Sequence, residues 1–469
     1  MRMRARSFQR VFAAASLAVL LAGAAAGIAV SLPISGREAV LPPGSDLNED
    51  PLDQPTELFE FERAGGKRSY QFNLGDMAFS SPAIFGGAAR RAGVSCNTCH
   101  QQGAGNARLF IPGASSRPGT FDTTNAIFNP KTDDHVFEPV RVPSLRGAKY
   151  TAPYTHKGRF PTVRDFVHNA IVNEFAGPEP SQEIVDAIVK YVEEIAFLPN
   201  AKLQDGGRLA AAASEAARRG EAVFNRPFPH DPQLSCAGCH QPSNYFVDNK
   251  LHDVKSGGAV KTPTLINANL NAPYFHDGRY DAYDQVVDHF DKEYALGLTG
   301  AERADLIAYL KAVGDADKPF TRATVAAEME ELTDFASVLE TAIPAKNNEV
   351  ISLTVESVGA EWREIGENFP AEKNTVVEGG LAERLRARTA VRQMVLSLRQ
   401  IDMAATAGDY DRAASLFAGY KRDAVAAAAI LQKAERWSLF NPALREKQLA
   451  ALRQLNALAA AQAPANAAR

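Results

Sequence analysis

The chain has 469 residues, enough for two to four domains at roughly 100 to 200 residues each, so a buried core needs no disulfide or metal staple. With 51 Lys and Arg against 55 Asp and Glu, the formal charge is -4, which gives no support to a nucleic-acid partner or a polybasic membrane footprint. Hydrophobic and charged contents of 45% and 23% are ordinary for globular protein, and only four cysteines in so long a chain exclude a disulfide scaffold.

Arg2, Arg4, Arg6 and Arg10 precede an uncharged run from Val11 to Gly36. A basic head followed by an apolar segment predicts a signal peptide or an N-terminal membrane anchor over residues 1–36. Small-residue cleavage sites at Ala22–Ala24 and Ala24–Ala26 favour the first, and the length of the run favours the second. No second apolar run of that length follows, so the rest of the chain is expected on the outer side of the membrane, in the periplasm. Residues 37–68, with Pro42, Pro43, Pro51 and Pro55 among acidic residues, read as a flexible linker.

Two stretches then repeat one another. Gly75-x-x-x-Phe79 leads to Cys96-Asn97-Thr98-Cys99-His100, and Gly220-x-x-x-Phe224 leads to Cys236-Ala237-Gly238-Cys239-His240. Val142-Pro143-Ser144-Leu145 runs into Pro153-Tyr154-Thr155-His156-Lys157-Gly158, and Thr262-Pro263-Thr264-Leu265 into Pro273-Tyr274-Phe275-His276-Asp277-Gly278. Each copy ends in an amphipathic helical pattern, Ser181 to Phe197 and Thr299 to Val313. Residues 69–200 and 206–318 are thus predicted to be two copies of one mainly α module.

Each copy holds one Cys-x-x-Cys-His. Cysteines one helical turn apart can each form a thioether with a haem vinyl group, and the following histidine then lies under the iron. A thioredoxin-like pair would need a βαβ setting that the pattern lacks, and zinc is disfavoured because an adjacent Cys and His do not readily share one tetrahedral ion. Two covalent haem c groups on Cys96, Cys99, Cys236 and Cys239, with His100 and His240 as axial ligands, account for every cysteine.

These residues resemble the bacterial di-haem cytochrome c peroxidases and their MauG-type relatives over residues 69–318. The resemblance implies a peroxide-binding haem on His100 and an electron-collecting haem on His240, with His156 and His276 hydrogen-bonding haem propionates. It implies a calcium ion between the domains, for which Asn271 and Pro273 offer oxygens. The pattern departs in three places. The sixth ligand of the electron-collecting haem falls on Phe290, so His289 is the substitute considered. The distal Gln and Glu of the family fall on Tyr154 and Arg164, leaving Tyr154, Arg164 and neighbouring Asp165 as the catalytic candidates. No tryptophan lies in either module, since the two in the chain are Trp362 and Trp437.

From Pro319 onward apolar residues recur at helical spacing in Thr324–Ile343, Glu349–Phe369, Leu381–Met403, Ala413–Lys433 and Asn441–Ala461. This predicts a helical bundle over 319–458 that serves docking, followed by a disordered low-complexity tail at 459–469. The function expected is reduction of hydrogen peroxide with electrons from a small donor such as a monohaem cytochrome c or a cupredoxin. The alternatives are a pure electron-transfer cytochrome and a MauG-like oxidase acting on a partner protein at the bundle.

Overall fold

The computed structural model describes residues 41–47, 55–317, 323–371 and 376–462. The expected signal peptide or anchor at 1–36 lies outside the described residues. Among them, no helix is long and apolar enough to cross a membrane. Helices dominate, with two small antiparallel ribbons, and the described chain falls into two compact units that part near residue 320.

The first unit runs α1 (Tyr70–Ser80), α2 (Cys96–Cys99), β1 (Thr120–Phe121), β2 (Val140–Arg141), α3 (Val163–Asn169) and α4 (Gln182–Glu194). The order then recurs as α5 (Glu215–Asn225), α6 (Cys236–Cys239), β3 (Leu251–Asp253), β4 (Ala259–Lys261), α7 (Tyr283–Glu293) and α8 (Gly300–Val313). Hydroxyl caps start the corresponding helices: Ser181 accepts from the Ile184 amide and Thr299 from the Glu302 amide. α4 stops at Glu194, short of the predicted Phe197, because Ile195 turns extended to bridge Phe59.

The Gly-x-x-x-Phe lead-in has a packing reason. A Cβ on Gly75 would lie 1.9 Å from the Ala187 carbonyl oxygen, and one on Gly220 would lie 2.0 Å from that of Asp305. α1 therefore touches α4, and α5 touches α8, backbone to backbone, which only glycine allows. One turn on, Phe79 packs against Tyr191 at 4.9 Å and Phe224 against Tyr309 at 4.8 Å, with all four rings buried.

The described part of the expected flexible linker is packed. Asp46 and Phe110 exchange backbone hydrogen bonds of 2.7 and 2.8 Å, Leu47, Leu58 and Phe59 are buried, and Phe59 meets Phe72 edge-on at 4.8 Å. Proline and acid content suggested a spacer; apolar residues between them anchor it instead.

The second unit holds α9 (Val325–Ala336), α10 (Asn348–Glu367), α11 (Leu381–Thr406), α12 (Tyr410–Ala434) and α13 (Pro442–Gln462). Trp362 is fully buried there and its indole N–H donates to the Tyr420 hydroxyl at 3.0 Å. The tail expected to be disordered from 459 is helical to Gln462, and residues 463–469 lie outside the described residues.

Candidate haem site

One cavity of about 800 Å3 in the first unit is lined by both Cys-x-x-Cys-His motifs. Each motif opens on a serine: Ser235 accepts from the Gly238 amide at 3.0 Å, and at Ser95 the backbone N–H donates to Thr98 Oγ1 at 3.0 Å. The short helix that follows turns both cysteines and the histidine toward one space. Burial pushes the Cys96, Cys99 and Cys236 thiols up to about 12, so they are neutral and unsuited to thiolate exchange or to holding zinc. All four cysteines are unpaired, leaving their sulfurs for thioethers.

His100 Nδ1–H donates to the Pro143 carbonyl at 3.0 Å, and His240 Nδ1–H donates to that of Phe246 at 3.2 Å. A carbonyl can only accept, so the tautomer is fixed and each Nε2 keeps its lone pair for a metal. Burial lowers His100 to about 4 and lowers His240 as well, which keeps both rings neutral.

Between the motifs the two halves cross-link reciprocally. The Arg141 amide donates to the His276 carbonyl at 2.7 Å, and the Lys261 amide donates to that of His156 at 2.8 Å. The side chains repeat the exchange: Arg141 Nη1 donates to the Asn271 carbonyl at 3.1 Å and Lys261 Nζ to that of Thr151 at 2.7 Å. Both cations line the cavity without a carboxylate partner among the described residues, and burial lowers Arg141 to about 10 and Lys261 to about 8. Beside them Arg141 Nε, His276 Nδ1 and Asn271 Oδ1 are buried with no partner. Two unneutralised cations and three orphaned polar atoms between two thiol–imidazole motifs fit the carboxylate edges of two haems.

His156 and His276 both line this region. His156 Nε2–H donates to the Arg141 carbonyl at 2.7 Å, and burial with neighbouring Arg141 lowers it to about 3, leaving Nδ1 as the edge toward the cavity contents. The calcium expected at Asn271 and Pro273 meets the opposite charge pattern. The Asn271 carbonyl already accepts from Arg141, Pro273 is not part of the cavity wall, and two built-in cations repel a divalent ion.

The other expected residues separate. Arg164 is exposed and ion-paired with Asp186. Asp165 is exposed, accepts from Thr162 Oγ1 at 2.6 Å and takes part in the start of α3, so neither reaches the cavity. Tyr154 does line it, but its hydroxyl donates to the Ala148 carbonyl at 3.2 Å, as Tyr274 does to Ala268 at 3.2 Å. A bond repeated in both halves is scaffold. His289 is buried with both nitrogens engaged: Nε2–H donates to the Val254 carbonyl at 2.7 Å and Nδ1 accepts from the Tyr280 hydroxyl at 3.1 Å. It has no lone pair for iron. Phe290 and Tyr294, the residue that caps the end of this helix and stacks on Phe290 at 5.9 Å, line the cavity instead.

Sequence reasoning missed Glu174. It closes a π-helical turn, Ala170–Glu174, that continues α3, and such turns recur at functional sites. Its carboxyl is buried in the cavity wall beside Cys96 and Cys99, and accepts from Asn169 Nδ2 at 3.0 Å. Burial raises it to about 7, against the pull of Arg159 and Asn169. No local spacing marks it, because an extra residue in the turn re-aims the side chain.

Residues 215–345 match the family model described as di-haem cytochrome c peroxidase. The methylamine utilization protein MauG of Methylophilus methylotrophus is 30% identical over 131 residues, covering 22% of this chain and 38% of that protein. The cytochrome-c peroxidase IdrP1 of Pseudomonas sp. (strain SCT) is 32% identical over 80 residues, covering 15% and 20%. A solved structure of a MauG-like protein associated with microbial copper homeostasis is 16% identical with a TM-score of 0.37, covering 55% of this chain and 92% of that one. The chain spans about two fifths or less of the curated relatives it matches.

Proposed function

We propose that this chain, similar over residues 215–345 to the di-haem cytochrome c peroxidase and MauG family, is an exported oxidoreductase that reduces hydrogen peroxide to water. In this reading Cys96 with Cys99 and Cys236 with Cys239 would hold two haem c groups, with His100 and His240 as the residues that would ligate their irons. A haem held by a single protein ligand supplies one-electron redox chemistry and an open coordination position.

The protein's own part is proton and charge management. Peroxide takes two electrons and two protons to give two waters, and breaking its O–O bond needs a proton on the departing oxygen. Glu174, a buried acid titrating near neutrality beside Cys96 and Cys99, is the observation that carries this reading. Its carboxyl donates that proton while Asn169 Nδ2 holds its other oxygen in place. The Pro143 carbonyl fixes the His100 ring; Arg141 and Lys261 would neutralise the propionates of bound haems, and His276 Nδ1 would hydrogen-bond one of them. Electrons enter at the second half from a small donor such as a monohaem cytochrome c or a cupredoxin, in the periplasm. Family likeness to MauG favours one further outcome, a partner protein as the electron source, with the second unit as its docking surface.

Pyridine haemochrome analysis of the full chain is expected to give two c-type haems, and a count of one or none overturns the reading. His100→Gly and His240→Gly should each change one of the two haem spectra. His289→Phe should leave both spectra unmoved; a changed low-spin signal would restore it as a ligand.

A further inference from the structure

The two halves also meet through a pair of tyrosines outside the cavity wall. Tyr150 of the first half and Tyr245 of the second stack with centroids 4.0 Å apart and planes 16° from parallel, and Phe197 flanks them at 6.2 and 6.0 Å. Each tyrosine adjoins, along the chain, residues of one candidate haem site. Tyr245 directly precedes Phe246, whose carbonyl accepts from His240 Nδ1, and its own carbonyl accepts from Thr264 Oγ1 at 2.7 Å. Tyr150 lies between Ala148 and Thr151, which both line the cavity. The outer end is open, because Tyr245 is 38% exposed.

The pair also has a proton acceptor. The Tyr150 hydroxyl donates to Glu60 Oε1 at 3.2 Å, and Glu60 is steadied by Lys149 at 3.6 Å and Arg63 at 3.8 Å. Burial and the neighbouring Tyr150 raise the Tyr245 phenol above its ordinary range, so Tyr245 must release a proton when it releases an electron. A carboxylate at the end of the stack makes that coupled loss local, and close parallel rings share an unpaired electron.

We propose that the Tyr150–Tyr245 stack is a radical relay that joins the two halves and delivers oxidising equivalents to a phenolic donor at the exposed face of Tyr245. It rests on the peroxide reading above, with hydrogen peroxide as the oxidant. Two phenols each give one electron and one proton, peroxide gains both pairs and becomes two waters, and the Tyr150 proton passes through Glu60. Two phenols outside then return one electron and one proton apiece, one to each tyrosyl oxygen, and leave as two phenoxyl radicals.

The test is freeze-quench EPR on the haem-loaded full chain after hydrogen peroxide with no donor, followed by addition of p-cresol, with the Soret band recorded in parallel. The expected result is an organic radical that p-cresol removes and that falls at least tenfold in Tyr150→Phe and Tyr245→Phe, with a smaller yield in Glu60→Gln. Phenylalanine keeps the stacked ring, so a folding defect is not the cause. A Soret change with no radical, or a radical of undiminished yield in both variants, overturns the relay and leaves peroxide chemistry standing. An unresponsive Soret band overturns both.

Discussion

Glu174→Gln is expected to lower the rate of peroxide consumption about 100-fold while leaving two haems bound, because positioned proton transfer contributes on the order of 10² to 10⁴. Glutamine keeps the shape and the bond from Asn169 but has no proton to give. In the unsubstituted chain the rate should fall as pH rises through about 7, where the buried carboxyl loses its proton, and the variant should lose that inflection. Stability gives an independent check. Between the ordinary value of 4.5 and about 7, the folded state binds more protons at this site than the unfolded one, so stability falls as pH rises. The full change is about 3 kcal/mol at this site and should vanish in the glutamine variant. Denaturant melts at pH 5 and pH 8 measure it; an unchanged slope, or full activity in the variant, would remove Glu174 from the chemistry.

Gly220→Ala should have a comparable effect on folding. Its new methyl would fall 2.0 Å from the Asp305 carbonyl oxygen and 2.8 Å from Tyr309 Cβ, and neither the carbonyl nor the helix axis can give way cheaply. We expect about 3 kcal/mol of destabilisation or more, a fall in Tm of roughly 6 to 12 °C, and loss of the His240-type haem spectrum before that of His100. Gly75→Ala, which meets the Ala187 carbonyl at 1.9 Å, should reverse the order. Gly300→Ala is the control, since nothing lies within 4 Å of its Cβ and the effect should stay within about 0.5 kcal/mol. Equal melting curves for Gly220→Ala and Gly300→Ala would refute the close helix contact.

The sequence made the repeat visible because its glycine, phenylalanine, cysteine and histidine positions recur at constant order, and each recurrence has a local cause such as a cap, a close contact or a turn. Helix positions in the second unit follow from three- and four-residue spacing for the same reason. Residue roles at the cavity were less legible. Spacing placed the distal acid at Arg164 or Asp165, but both lie on the solvent face of α3, and the π-helical turn after it brings Glu174 inward. Spacing also left His289 and Phe290 as neighbours without saying which faces the cavity; contacts with Tyr280 and Val254 decide that it is Phe290. Long-range pairing, invisible to any local pattern, set the linker too: Phe59 is held by Ile195 and Asp46 by Phe110.

The exchange of Arg141 to Asn271 against Lys261 to Thr151 has the form of an isologous interface, since each donor and each acceptor occupies the same position in its own repeat. A surface that complements its own copy makes no distinction between the copy in the same chain and one in another molecule. What separates them is the covalent tether through residues 201–205, which presents the internal partner at an effective concentration on the order of millimolar. Cutting that tether would turn the joining of the two halves from a property of one chain into a property that depends on protein concentration.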